Sequence, residues 1–170
     1  MLDYTKLWDH LNELPMSTIV VAASRPGSDF IHSLFDGHPE VLTFDGYLLF
    51  DEFYDKSISI WGTKILDMQL QKRLEFTNPK DVFYEFAYKH IYKFNSKYEN
   101  FEKKDKLGKN HDSFNYIEIE KFVFHATNLI GINNFNRRNT LIAIYGAFAL
   151  ARGENLEMKK VILHNIHHAR

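Results

Sequence analysis

The sequence predicts an α/β protein with a small parallel sheet and a largely helical middle segment. Three observations predict it. Ser17-Thr-Ile-Val-Val-Ala-Ala23 is a short apolar run rich in β-branched residues, without the alternation of a half-exposed strand, as suits a strand covered on both faces. Turn residues follow at Ser24-Arg-Pro-Gly-Ser28, then a helical stretch and a second apolar run, the outline of a βαβ unit. A third run, Lys160-Val-Ile-Leu-His-Asn-Ile166, lies near the last residue.

In chain order, Leu2, Leu7, Trp8, Leu11 and Leu14 place an amphipathic helix over residues 2–14, stopped by Pro15. The run from Ser17 is the first strand. Asp29 to Asp36 reads as a helix ended by Gly37, with Pro39 just beyond. Val41-Leu-Thr-Phe44 is the second strand. Residues 80–101 carry Phe83, Phe86 and Phe94 with the four-spaced Tyr84, Tyr88 and Tyr92, a stripe that suits core packing better than base stacking. Residues 101–112 mix Lys with Asp and Asn, as a solvated helix end and loop do. Residues 139–152, with Leu141, Ile142, Ile144, Tyr145, Phe148 and Leu150, are apolar nearly all round and predict a buried helix, with Gly153 just past its end. A helical insertion thus spans about 65–152, inside one domain covering residues 1–170. A third strand that closes just short of Arg170 predicts that the chain is the N-terminal part of a longer fold.

Composition narrows the functional classes. The 170 residues are 45% hydrophobic and include 15 Phe, 9 Tyr and 2 Trp, enough for a real core and unlike a disordered chain. A net charge of −1 gives no electrostatic case for nucleic acid or an anionic membrane. Cysteine is absent from the sequence, which removes disulfides, thiolate metal sites and a cysteine nucleophile. The opening Met-Leu-Asp-Tyr-Thr-Lys does not read as a secretory signal, and no apolar run approaches the roughly 20 residues of a membrane span. The expectation is a cytoplasmic protein with no membrane span.

The informative stretch runs from Val20 to Val41. A buried strand, a tight loop with one glycine and one cation, and then a helix direct backbone N–H groups and the positive helix end at one spot, which suits a phosphate or sulfate. Gly27 would allow close approach of the backbone, Arg25 would supply a forked cation, and Ser28 a hydroxyl in the first turn. The alternative is an ordinary strand-to-helix turn with an N-cap serine. The Gly-Lys-Ser/Thr ending of a Walker loop is missing, which disfavours an ATP- or GTP-type phosphotransferase.

Arg25-Pro-Gly-Ser-Asp-Phe-Ile-His-Ser-Leu-Phe-Asp-Gly-His-Pro-Glu-Val41 resembles the 5′-phosphosulfate loop of the sulfotransferases. There a basic residue, Ser-Gly and two hydroxyl residues lead into a helix that ends before His-Pro, and the register holds without a gap from Arg25 to Val41. The resemblance implies a P-loop-like, three-layer α/β/α fold. It implies 3′-phosphoadenosine 5′-phosphosulfate (PAPS) as donor, with no metal, and a hydroxyl or amine of a small molecule or carbohydrate as acceptor. On this register Arg25, Pro26, Gly27, Ser28, Asp29 and Phe30 surround the 5′-phosphosulfate. Pro26 stands where the family has serine and removes one backbone donor. Asp29 stands in place of the second hydroxyl residue. At about 4 Å its carboxylate would repel an anion by roughly 1 to 4 kcal/mol, although without a ligand it favours the helix end. A catalytically inactive nucleotide- or anion-binding module on the same fold is therefore the second reading.

Lys160 to Arg170 is similar to the family strand that leads into an Arg-(Asp/Asn)-Pro turn at the donor's 3′-phosphate. His167 takes the arginine position there, Ala169 the proline position and Arg170 the second basic position. For chemistry, the resemblance gives Arg25 the cationic role on the moving group. It places a carboxylate base at Asp45, seven residues after His38, with Asp51 and Glu52 as alternates and a turn aspartate before Gly46 as the plainer account. Trp61-Gly-Thr-Lys64 is similar to an element of bacterial relatives whose lysine approaches the transferred group, which makes Lys64 the third candidate. His164, His167 and His168 lack a nearby carboxylate and read as a polar strand end rather than a metal site, while His32 receives no chemical role.

Overall fold

In the computed structural model, residues 2–21, 27–35, 37–44, 79–90, 117–131 and 136–167 are described. Helix α1 covers Tyr4–Glu13. Asp3 caps it by accepting from the Lys6 amide at 3.1 Å, and Leu7, Trp8 and Leu11 fall on its buried face. Strand β1 follows at Met16–Val21 and helix α2 at Ser28–Ser33. The last turn of α2 tightens as the Leu34 and Phe35 amides donate to the Ile31 and His32 carbonyls, so the helix stops short of the expected Asp36. Strand β2 is Val41–Leu42.

Helix α3, Pro79–His90, opens on a proline whose missing N–H would be unpaired there anyway. It buries Phe83, Phe86 and Ala87, so these two phenylalanines of the aromatic stripe pack in the core as expected, while Tyr84 is half-buried. Helix α4, Ile119–Ile130, lies in the middle segment and buries Phe122, Val123, Ala126, Leu129 and Ile130. Phe86 stacks on Phe122 with ring centres 5.9 Å apart. Helix α5, Arg137–Ala151, is capped by the Asn136 side chain and is buried on nearly every side from Thr140 onward. Gly153 follows with φ +81°, the left-handed residue that ends such a helix.

Gly146 is where α1, α4 and α5 meet. A Cβ built there would stand 2.6 Å from Leu11 Cδ1 and 2.9 Å from Leu129 Cδ1, so only hydrogen fits between the two leucines.

Strand β3, Val161–His167, lies between the other two, in the order β1-β3-β2, with both pairings parallel. Parallel neighbours need long crossovers: α2 lies in the first, from β1 to β2, and α3 to α5 lie in the second, from β2 to β3. Lys159 fixes the amino-terminal edge of this sheet. Its ammonium group is buried, donates to the Val41 carbonyl at 2.9 Å and the His38 carbonyl at 3.3 Å, and pairs with Glu154 at 2.6 Å. A buried cation is tolerated because each of its donors has an acceptor.

One expectation for the sheet needs correction. The run from Ser17 predicts a strand covered on both faces, yet Met16, Ser17 and Thr18 are exposed and Ile19 is half-buried. Among the described residues β1 pairs on one side only, as an edge strand, and the doubly covered strand is β3, whose Ile162, Leu163, His164 and Asn165 are all buried. Among the described residues, no helix is long and apolar enough to cross a membrane.

Candidate functional site

A parallel sheet brings the carboxyl ends of its strands to one edge, where α/β proteins hold their ligands. Here that edge contains Val21 of β1 and His167 of β3, which are register partners, and the chain that leaves β2 at Thr43 and Phe44.

The chain enters α2 at Gly27, whose φ of 82° and ψ of 11° are left-handed. No atom lies within 4 Å of a Cβ built there, so backbone conformation rather than space calls for glycine. The Gly27 carbonyl accepts the Ile31 amide at 2.9 Å and begins the helix. Gly27 is thus the N-cap, without a side-chain cap bond, and Ser28 is the first helical residue; the alternative of an N-cap serine is corrected accordingly. Asp29 is the second residue of α2, and Phe30 the third, with its ring largely exposed. Arg25, Pro26, Asp45 and Lys64, together with the alternates Asp51 and Glu52, lie outside the described residues, as do Ala169 and Arg170. His167 closes β3. The structure therefore sets Gly27, Ser28, Asp29 and Phe30 together at the head of α2 and His167 at the end of the neighbouring strand.

Two faces of β3 do different work. Ile162 and His164 point toward α5, where Tyr145 and His164 Nδ1 are hydrogen-bonded at 2.7 Å and burial pushes the Tyr145 phenol well above its usual pKa. Phe44 packs on the same side, its ring centre 4.6 Å from Tyr145 and 4.2 Å from Phe148.

Leu163 and Asn165 alternate to the other face. There Thr43 Oγ1 lies 2.7 Å from His32 Nε2 of α2 and donates at 3.1 Å to the Leu163 carbonyl. Because that carbonyl can only accept, the hydroxyl proton goes to it, and His32 donates its Nε2–H to the threonine oxygen. His32 is 2% exposed and ties α2 to the sheet. On the same face of β3 by alternation, Asn165 is 1% exposed, and neither its amide nitrogen nor its oxygen has a hydrogen-bond partner among the described residues. The His-Pro that follows α2 is occupied locally, with His38 Nδ1 accepting the Glu40 amide at 3.2 Å.

Sequence reasoning passed over both buried polar residues. The sequence assigns His32 no chemistry and treats Asn165 only as part of the third strand. The signal for Asn165 is its place between apolar residues of a strand, beside His164. Among the described residues, no group of three or more His, Asp or Glu side chains could hold a metal ion. Compared with protein-family models, curated proteins and solved structures, the chain matches none.

Proposed function

We propose that this chain is a sulfotransferase, moving a sulfuryl group from PAPS to a hydroxyl or amine of a small molecule or carbohydrate, on a P-loop-like three-layer fold. The observation that carries the reading is the left-handed Gly27 at the start of α2, on the helix that follows a parallel strand in the chain, as an oxyanion loop requires. The covering of the sheet by α5 on one face and by α2, through His32, on the other adds to it.

In this mechanism the amides from Gly27 to Phe30 and the Ser28 hydroxyl hold the 5′-phosphosulfate, beside Pro26 and Asp29. The Arg25 guanidinium, with Lys64, holds the sulfuryl oxygens and meets the charge that grows on the bridging oxygen as the sulfuryl group leaves the phosphate. Asp45 takes the proton of the attacking hydroxyl, the new S–O bond forms on the acceptor, and adenosine 3′,5′-bisphosphate departs with the electron pair of the broken bond. His167 faces the donor's 3′-phosphate.

Calorimetric titration with adenosine 3′,5′-bisphosphate tests the reading. Binding is expected, is lost in Arg25→Ala, and strengthens when Pro26→Ser and Asp29→Thr restore the family's loop. Absence of heat at millimolar nucleotide would end it. The second reading, an inactive nucleotide- or anion-binding module, is favoured by Asp29 at the second position of α2, where a carboxylate stabilises a free helix end. Turnover of labelled donor separates the two.

A further inference from the structure

A strand at the edge of a sheet leaves half of its backbone groups unpaired, and β1 is such a strand. The Ile162 amide donates to the Pro15 carbonyl at 2.9 Å, which fixes the half that faces β3. Backbone groups alternate in direction along a strand. Ser17, Ile19 and Val21 therefore turn theirs to β3, while Met16, Thr18 and Val20 turn theirs outward. Among the described residues nothing pairs with those outward groups. The side chains of Met16, Ser17 and Thr18 alternate between the two faces of the sheet, and all three are exposed. This half of β1 is open on both faces and along its edge.

Proteins ordinarily protect an edge with lysine, proline, a bulge or a covering segment. Met16-Ser-Thr-Ile-Val-Val21 contains neither a charge nor a proline, and its register with β3 runs unbroken from end to end. Its β-branched residues favour strand pairing. What fits a regular, uncharged edge is another extended strand, whose backbone supplies the absent donors and acceptors.

The spacing of the outward groups matches a second copy of the same strand. An antiparallel copy, turned about a two-fold axis at Thr18, sets Thr18 opposite its own counterpart and Met16 opposite Val20. These are the outward positions, so each opposed pair exchanges two N–H···O bonds and no outward group is left over. Threonine opposite threonine is a favourable cross-strand pair, and a strand without charge opposes no like charges when it meets itself. The two-fold also closes the contact, since β1 then has no edge left for a third copy.

We propose that β1 is a self-association surface, on which two copies of this chain join by antiparallel β1–β1 pairing centred on Thr18. The two sheets then form one, in the order β2-β3-β1-β1-β3-β2. An interface one strand wide belongs to the small class that associates weakly and in a concentration-dependent way. None of this uses the sulfotransferase reading, and the outcome of a nucleotide titration does not bear on it.

Sedimentation of the full chain, from low micromolar to near-millimolar concentration, tests the pairing. The wild type is expected to move from 20.1 kDa toward twice that mass. Thr18→Lys opposes two ammonium groups at the two-fold and is expected to remain monomeric, with the wild-type Tm at low micromolar concentration. Because the sequence has no cysteine, single-cysteine variants read the register. Thr18→Cys faces itself, with Cα atoms about 5.5 Å apart in a hydrogen-bonded pair, which is within disulfide reach. Mild oxidation is expected to give a covalent dimer. Ser17→Cys would face Ile19 instead, and is expected to cross-link far more slowly.

A wild type that stays monomeric throughout overturns the proposal, as does one that grows past the dimer. So does a dimer that Thr18→Lys leaves intact, because another surface then holds it. Cross-linking at Ser17 as fast as at Thr18 overturns the two-fold register and the pairing with it. Should Thr18→Lys fail to fold, the comparison of the two cysteine variants decides alone.

Discussion

The two faces of the sheet are built from different material. Toward α5 lies a continuous apolar cluster in which Leu42, Phe44, Tyr145, Phe148 and Ile162 pack with α1, α3 and α4. Toward α2 the layer is thin and polar. That helix has six residues, buries His32, and leaves Phe30, Ile31 and Leu34 at 68%, 49% and 62% exposed. Buried apolar area supplies stability in proportion to its extent, whereas a buried polar group supplies direction and costs stability when unpaired. The α5 side therefore carries the fold, and the α2 side, with the carboxyl edge of the sheet, is where the proposed function would place its site.

The sharpest way to break this contrast is to remove bulk from the apolar side. Phe148 is fully buried against Phe44, and Phe148→Ala should cost about 3–5 kcal/mol, read as a large fall in Tm or in the denaturant midpoint. A loss as small as that of a surface change would show that the α5 side does not carry the fold. Overfilling tests the same region from the other direction. Gly146→Val would press a branched side chain onto Leu11 and Leu129, which are themselves packed, and should cost up to about 3 kcal/mol. Pairing it with Leu11→Ala should return part of the loss, because the two sites share one space.

What could be read from the sequence follows this same division. Helix α1 was legible because Leu7 and Leu11 sit one turn apart and Pro15 follows; α5 was legible because apolar residues circle it and Gly153 ends it. These are local signals. The edge position of β1 was not legible, since Ser17 to Val21 spell a strand without saying on how many sides it is paired. Nor was the burial of His32, which depends on Thr43 eleven residues later and on a carbonyl of β3 far along the chain. In the loop, glycine at 27 was expected for close approach of a ligand, and the structure adds a backbone reason, the left-handed turn. The orphan state of Asn165 depends on every neighbour at once, so no window of sequence contains it.

The α2 side should respond more weakly, and through geometry. Thr43→Val removes both the acceptor of the His32 Nε2–H and the hydroxyl that donates to the Leu163 carbonyl, at an expected cost of about 1–2 kcal/mol. The accompanying result distinguishes it from a core change. With α2 no longer tied to the sheet, binding of adenosine 3′,5′-bisphosphate should fall by a larger factor than in Phe148→Ala, measured where both proteins remain folded. If the two variants lose nucleotide equally per unit of stability, the division of labour between the faces is wrong.

The smallest effect comes from a polar contact on the helical side. His125 of α4 is buried, and the Tyr4 hydroxyl of α1 is hydrogen-bonded to its Nδ1 at 2.8 Å. Burial first, and then the charge of Lys121, hold its pKa below the ordinary histidine value. The unfolded chain takes up a proton near pH 6.5, while the folded chain still resists it. Between those two points the unfolded state binds more protons, so acid favours unfolding. The stability tied to neutral His125 is complete above about pH 6.5 and declines as pH falls toward the lower folded value. His125→Gln keeps a hydrogen-bonding side chain and removes the titration, so its Tm should fall less than that of the wild type between pH 7 and 5. Because the contact joins α1 to α4, hydrogen exchange in acid should rise first in α1 and leave α2 unchanged. Parallel acid profiles for the two proteins would show that the apolar side holds α1 without this pair, and that apolar packing alone carries that side.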